Sequence, residues 1–196
     1  MDLEKTIKNL KLRGFKVSYF ESKDEAASYM NSQISNTTVG IGGSKTVEAL
    51  GLYESLIKNN TVYWHWKENT DETRNNANAA KVYISSANAI SEDGEILNID
   101  GAGNRLAGQV YGKKRVYIVA GTNKIEENFE KALNRARNVA AVTNVKRFAY
   151  KPPCTIDGKC HDCRSEDRIC NALLVLWGPM FGMETEVVLI GEELGY

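Results

Sequence analysis

Val82 to Arg105 reads V-Y-I-S-S-A-N-A-I-S-E-D-G-E-I-L-N-I-D-G-A-G-N-R. Val82 to Ser85 is a short apolar run of strand character. Asp93-Gly94 is a favoured two-residue hairpin turn, and Glu95 to Asp100 supplies the second arm. That arm runs into the glycine loop Asp100-Gly101-Ala102-Gly103-Asn104-Arg105. Glycines let backbone approach a ligand closely, and Asn88, Glu92, Asp93, Asp100, Asn104 and Arg105 place polar groups beside them. A functional site is expected here, with Glu92, Asp93 and Asp100 as candidate acid/base groups. Asp93-Gly94 also satisfies the needs of a turn alone, and asparagines such as Asn88, Asn104 and Asn123 also serve as turn residues.

Outward from this stretch the chain alternates helix and strand. Leu3, Ile7 and Leu10 recur at helical spacing before Gly14, and Phe15 to Phe20 has strand character. Ser22-Lys23-Asp24-Glu25 fits a capping box that opens a helix to about Gln33. Thr38 to Ile41 then leads into Gly42-Gly43-Ser44 and a helix. Such a turn either offers amides to an anion or simply connects the two elements, with Ser44 as the cap. No phosphate-loop or dinucleotide fingerprint is completed. Thr61 to Trp66 alternates β-branched and aromatic residues, and its His65 reads as a packed or edge residue. Asp71 to Ala80 is a polar helix, Leu106 to Tyr111 a short helix, and Arg115 to Ala120 a strand ending at Gly121-Thr122-Asn123-Lys124. Glu126 to Ala140 has helical spacing, and Ala172 to Trp177 and Glu186 to Ile190 form a C-terminal strand pair around Gly178-Pro179. The order predicts an α/β fold, a mainly parallel open sheet flanked by helices. In such sheets ligands gather beyond the carboxyl ends of the strands, so the loops at Gly42 to Ser44, Asn88 to Arg105 and Asn123-Lys124 should meet. Arg105 and Lys124 would hold an anion there, or else act as ordinary surface cations.

The 196 residues suit one domain, with residues 1–38 as a helix-and-strand lead-in. Lysine plus arginine equals aspartate plus glutamate at 25 each, so no net field draws nucleic acid or an anionic membrane. No apolar run approaches the ~20 residues of a membrane span. Charges at Asp2, Glu4 and Lys5 leave no apolar centre for a signal peptide, and a cytoplasmic chain with reduced thiols is expected. All four cysteines, Cys154, Cys160, Cys163 and Cys170, fall within a Pro/Gly-containing loop at residues 152–171, spaced C-x5-C-x2-C-x6-C. Clustered thiols suit zinc or an iron–sulfur cluster, with His161 as a substitute ligand. Redox-active or simply reduced thiols are the alternative.

These residues together resemble the LUD-domain family of lactate utilisation proteins. The resemblance runs through G-I-G-G-S-K-T-V-E-A-L-G-L at Gly40 to Leu52, S-A-N-A-I-S-E-D-G-E-I-L-N-I-D-G-A-G-N-R at Ser86 to Arg105, and V-A-G-T-N-K-I at Val119 to Ile125. It continues in C-x2-C-x-S-x-D-x-I-C-N at Cys160 to Asn171 and the closing G-E-E-L-G-Y. It implies a fold like the ribose-5-phosphate isomerase, glucosamine-6-phosphate deaminase and CoA-transferase group. It also implies a role as an accessory or redox-partner subunit beside iron–sulfur and oxidoreductase subunits that oxidise L-lactate to pyruvate. The strand-end loops read above supply the expected ligand-binding set, Gly42, Gly43, Ser44, Asn88, Gly101, Gly103, Asn104, Arg105, Asn123 and Lys124, around a small anionic metabolite. The isomerases carry acidic residues after Asp-Gly-Ala, whereas Gly103-Asn104 follows here, which argues against ribose-phosphate isomerisation. Glu92 is a loose counterpart of the transferase nucleophile. A stand-alone isomerase- or transferase-like enzyme on a phosphorylated or carboxylated metabolite, or a metabolite-binding module, is the alternative. The oligomeric state is not readable from the chain.

Overall fold

The computed structural model describes all 196 residues. Its main sheet has six strands: β1 (Lys16–Phe20), β2 (Thr38–Ile41), β3 (Thr61–Trp64), β4 (Val82–Ser86), β7 (Arg115–Gly121) and β10 (Glu184–Ile190). They lie in the order β1-β10-β7-β4-β2-β3, and every pairing is parallel. Central parallel strands are covered on both faces, and β7 shows it: Val116, Ile118 and Ala120 pack into one core while Tyr117 and Val119 pack into the opposite one. One core holds α2 (Lys23–Gln33), α3 (Lys45–Ala49) and α4 (Leu52–Leu56) against the sheet; the other receives Leu10 of α1 (Leu3–Leu12) and Ala77 of α5 (Asp71–Ala79). Each fully buried branched side chain contributes about 1.5–3 kcal/mol.

The capping box forms as expected, with Ser22 accepting from Glu25 N and the Glu25 carboxylate accepting from Ser22 N. The hairpin also forms. β5 (Ala89–Ser91) and β6 (Ile96–Asp100) pair antiparallel, Ile90 facing Ile96, and Gly94 N donates to Ser91 O at 2.9 Å. This hairpin does not extend the main sheet. With β8 (Ile125–Glu126) and β9 (Ala172–Leu176) it makes a four-stranded second sheet, β8-β5-β6-β9. The two C-terminal strands therefore part, β9 against β6 and β10 between β1 and β7. The helix expected from Glu126 begins later, because residues 125–126 are drawn into β8 and Asn128 caps α7 (Phe129–Arg135). A π-turn at Ala136–Ala140 then leads into α8 (Ala141–Val145). α6 (Asn104–Val110) starts directly at the glycine loop, where Gly103 has φ 80°, a left-handed conformation that costs other residues energy. No helix is long and apolar enough to cross a membrane.

Candidate functional site

Beyond the carboxyl ends of the parallel strands lies a cleft of about 520 Å³. The loops after β2, β3, β4 and β7 feed it, and β6 brings the Asp100 loop to it from the second sheet. Its floor is Lys124, only 2% exposed. The ammonium donates to Thr46 Oγ1 at 2.6 Å, Ser86 Oγ at 3.0 Å and Ala87 O at 3.1 Å. Three donors thus meet three acceptors, from α3, from the end of β4 and from the turn after it. Burial, with Arg135 and Arg105 nearby, pushes the amine down to about 7. Arg135 is itself buried and donates to Asn123 O at 3.0 Å and Asn88 O at 2.6 Å, fixing the two turns that flank Lys124.

Of the residues expected at the site, Gly43, Ser44, Asn88, Asp100, Gly101, Asn104, Arg105 and Lys124 line this cleft. The others lie behind or away from it. Gly42 is backed by Tyr83 and the Arg105 stem, so an added Cβ would stand 3.1 Å from Tyr83 Oη and 3.2 Å from Arg105 Cγ. Gly103 supplies the entry to α6, and Asn123 accepts from Leu194 N at 3.2 Å, tying down the C-terminal segment. Glu92 and Asp93 are elsewhere. Glu92 accepts from Asp2 N at 2.6 Å and pairs with Lys5 at 3.4 Å, while Asp93 pairs with Lys5 at 3.4 Å and its carbonyl accepts from Arg13 at 2.6 Å. The hairpin tip is thus clamped to α1, and neither carboxylate reaches the cleft lining.

Asp100 is in the lining but already employed. It accepts from Gly101 N at 2.8 Å and Arg105 N at 3.0 Å, and Arg105 Nε stands 3.5 Å away. That carboxylate folds the loop and orients Arg105, whose guanidinium also donates to Ile99 O. Asn88 likewise accepts from Ile99 N at 2.6 Å, joining the hairpin arms. The glycine–serine loop is followed by a helix of only five residues, with Ser44 capping Val47 N. So short a helix has little dipole, and the attraction for anions rests on side-chain cations.

The sequence reading left out much of the rim. His65 and Trp66 follow β3, and Arg147, Phe148 and Tyr150 follow α8; all line the cleft, as do Arg74 of α5 and the terminal Tyr196. The signal for His65 and Trp66 was available, since they occupy the carboxyl end of a parallel strand. Burial lowers the His65 imidazole from its usual range, with a further push from Arg74, favouring the neutral ring.

The cysteine loop forms the remaining wall. Glu166, Asp167, Arg168, Ile169 and Asn171 line the cleft, and Asn171 N donates to Asp100 O at 3.0 Å. The backbone packing is close: a Cβ on Gly101 would stand 2.9 Å from Ile169 O. Behind this wall Cys154, Cys160, Cys163 and Cys170 share one small cavity of about 20 Å³ as free, half-buried thiols. Burial raises the Cys154 thiol, and the neighbouring sulfurs add to it. No three His, Cys, Asp or Glu groups stand in a ligating arrangement, and His161 turns instead to Asp157 at 3.0 Å. Four thiols round one cavity have the donor chemistry of zinc or iron–sulfur sites. Their side chains would have to close in to hold either.

No curated protein matched the chain in sequence. Among solved structures it is similar to a DUF162-family protein of Deinococcus radiodurans, with a TM-score of 0.58, 12% identity and 96% of each chain covered. That likeness reproduces the fold across the length of both chains. The LUD domain model matches residues 3–190, and the chain belongs to the LUD domain family.

Proposed function

We propose that the cleft binds a small anionic metabolite and that the chain serves as an accessory or redox-partner subunit in the oxidation of L-lactate to pyruvate. The observation that carries the anion reading is the pair of cations built into the strand ends, buried Lys124 and the loop-held Arg105. Desolvated cations in a concave site favour an anion strongly, because water no longer screens them. L-lactate, pyruvate and inorganic phosphate titrated into the full chain by calorimetry test this. Binding of at least one is expected, with Arg105→Gln weakening it about tenfold or more. Silence from all three rejects the anion cleft. Growth on lactate unchanged by deletion, together with no co-purifying oxidoreductase subunit, rejects the lactate role.

One observation favours an enzyme acting alone. An amine titrating near 7 beside Ser86 can accept or release a proton at working pH, the property a general base needs. Turnover of hydroxy acids or sugar phosphates that is lost in Lys124→Met would support that reading.

The cysteine loop is proposed to hold zinc or an iron–sulfur cluster through Cys154, Cys160, Cys163 and Cys170. A bound metal there would supply folding energy to the loop that walls the cleft, or an electron-transfer centre. Anaerobic purification followed by elemental analysis should find zinc or iron, and Cys160→Ser should lose most of it. Broad absorption near ~400 nm with iron would mark a cluster. Metal-free protein at full anion affinity would leave the thiols without such a role.

A further inference from the structure

The cleft is larger than a three-carbon acid requires and changes character from floor to mouth. At about 520 Å³ it falls in the range that encloses a drug-sized ligand. Six lysine and arginine side chains line it against three aspartates and glutamates, an excess suited to a polyanion such as a phosphate ester. The mouth is aromatic. Phe148 and Tyr150 are stacked with centroids 5.4 Å apart at 19°, yet they are 45% and 46% exposed. Between them and Trp66 stands Arg147, its guanidinium 4.3 Å over the Trp66 ring and 5.8 Å from Phe148. Asn144 and the Tyr196 hydroxyl hold that guanidinium, each at 3.1 Å. Flat faces of this kind, braced and left half-open beside a cationic floor, take a planar unsaturated ring.

Building on the anion reading above, we infer that the cleft ligand is of nucleotide class, its phosphate against Lys124 and Arg105 and its ring against the Phe148–Tyr150 face. The ring adds stacking that a sugar phosphate lacks. The floor groups recognise the charge, and the rim recognises the base.

Calorimetry on the full chain decides it, with ribose 5-phosphate, the four ribonucleoside 5′-monophosphates and flavin mononucleotide as probes. At least one ring-bearing phosphate should bind about tenfold or more tightly than ribose 5-phosphate. The double variant Phe148→Ala, Tyr150→Ala should erase that gain, bringing nucleotide affinity down to the level of ribose 5-phosphate. Both residues are half-exposed, so the melting temperature should hold and serve as the folding control. As a second readout, transferred nuclear Overhauser effects should connect ring protons of the ligand to Phe148. Ribose 5-phosphate binding as well as every nucleotide, or a gain that survives the double variant, overturns the nucleotide assignment and leaves the anion cleft in place. Absence of binding by every probe also overturns the nucleotide assignment, and the lactate, pyruvate and phosphate titrations then decide the anion cleft separately.

Discussion

Lys124→Met is expected to weaken anion binding about 10- to 100-fold at pH 6.5, the effect of losing a desolvated positive charge beneath the site. Methionine keeps most of the stem volume and removes the buried charge, which offsets the loss of the donor to Thr46 Oγ1, Ser86 Oγ and Ala87 O, so the melting temperature should stay close to that of the parent. Loss of affinity without loss of stability is the signature of a group held for function at a structural cost. The pH dependence sharpens the test. Lys124 is pushed down to about 7 in the folded chain from an ordinary 10.5. Anion affinity should therefore be full below pH 7 and fall by up to tenfold per pH unit above it, as the ammonium loses its proton. Stability runs the other way. Between about 7 and 10.5 the unfolded lysine carries a proton that the folded one does not, so this group's contribution to stability rises with pH across that window. Lys124→Met should flatten both slopes. Calorimetry at pH 6.5 and 8.5, with urea midpoints at the same pH values, would show them. An affinity that is independent of pH in the parent chain would remove Lys124 from the site.

The strands and the cleft position were legible because both follow from local patterns. Apolar runs such as Val82 to Ser85 and Arg115 to Ala120, each ending in small and polar residues, announce parallel strands feeding loops into one edge of a sheet. Partners distant in sequence were not legible. Glu92 looked like a catalytic carboxylate beside glycines, but its partners are Met1, Asp2 and Lys5, roughly ninety residues away along the chain. No local pattern reports that clamp. Asp100 shows a subtler limit: its place in the lining was readable, yet its role in folding the loop around Arg105 depends on hydrogen bonds that composition does not encode. The rim at Arg147 to Tyr150 has no strand or glycine signature, since it reaches the cleft only after the π-turn and α8 carry the chain there. The cysteine spacing proclaimed a cluster. That residues 166–171 of the same loop would wall the cleft was visible only in three dimensions.

Gly40→Val is expected to destabilise the fold by about 3 kcal/mol or more, the upper range for forced overpacking. Gly40 sits in β2 opposite Tyr63 of β3 and Tyr83 of β4, where α5 presses directly onto the sheet. A Cβ there would stand 2.7 Å from the Ala77 carbonyl carbon and 2.9 Å from Ala77 Cα. Both are backbone atoms, so relief requires moving the whole helix. Gly43 makes the contrast. Its added Cβ would meet Trp66 Nε1 at 2.8 Å, a side-chain atom at the cleft rim and not backbone, so Gly43→Ala should disturb the cleft mouth more than the urea midpoint. The Gly40 effect extends to function, because α5 carries Arg74 into the cleft and β3 carries His65 and Trp66 to its rim. A fraction of Gly40→Val that still folds should therefore bind anions more weakly than the parent even at full folding. Urea unfolding followed by Trp fluorescence measures the first effect and calorimetry in the absence of urea the second. A midpoint equal to that of the parent would mean that α5 can slide from β2 at no cost, and the close helix–sheet contact would not be what fixes the Arg74 side of the cleft.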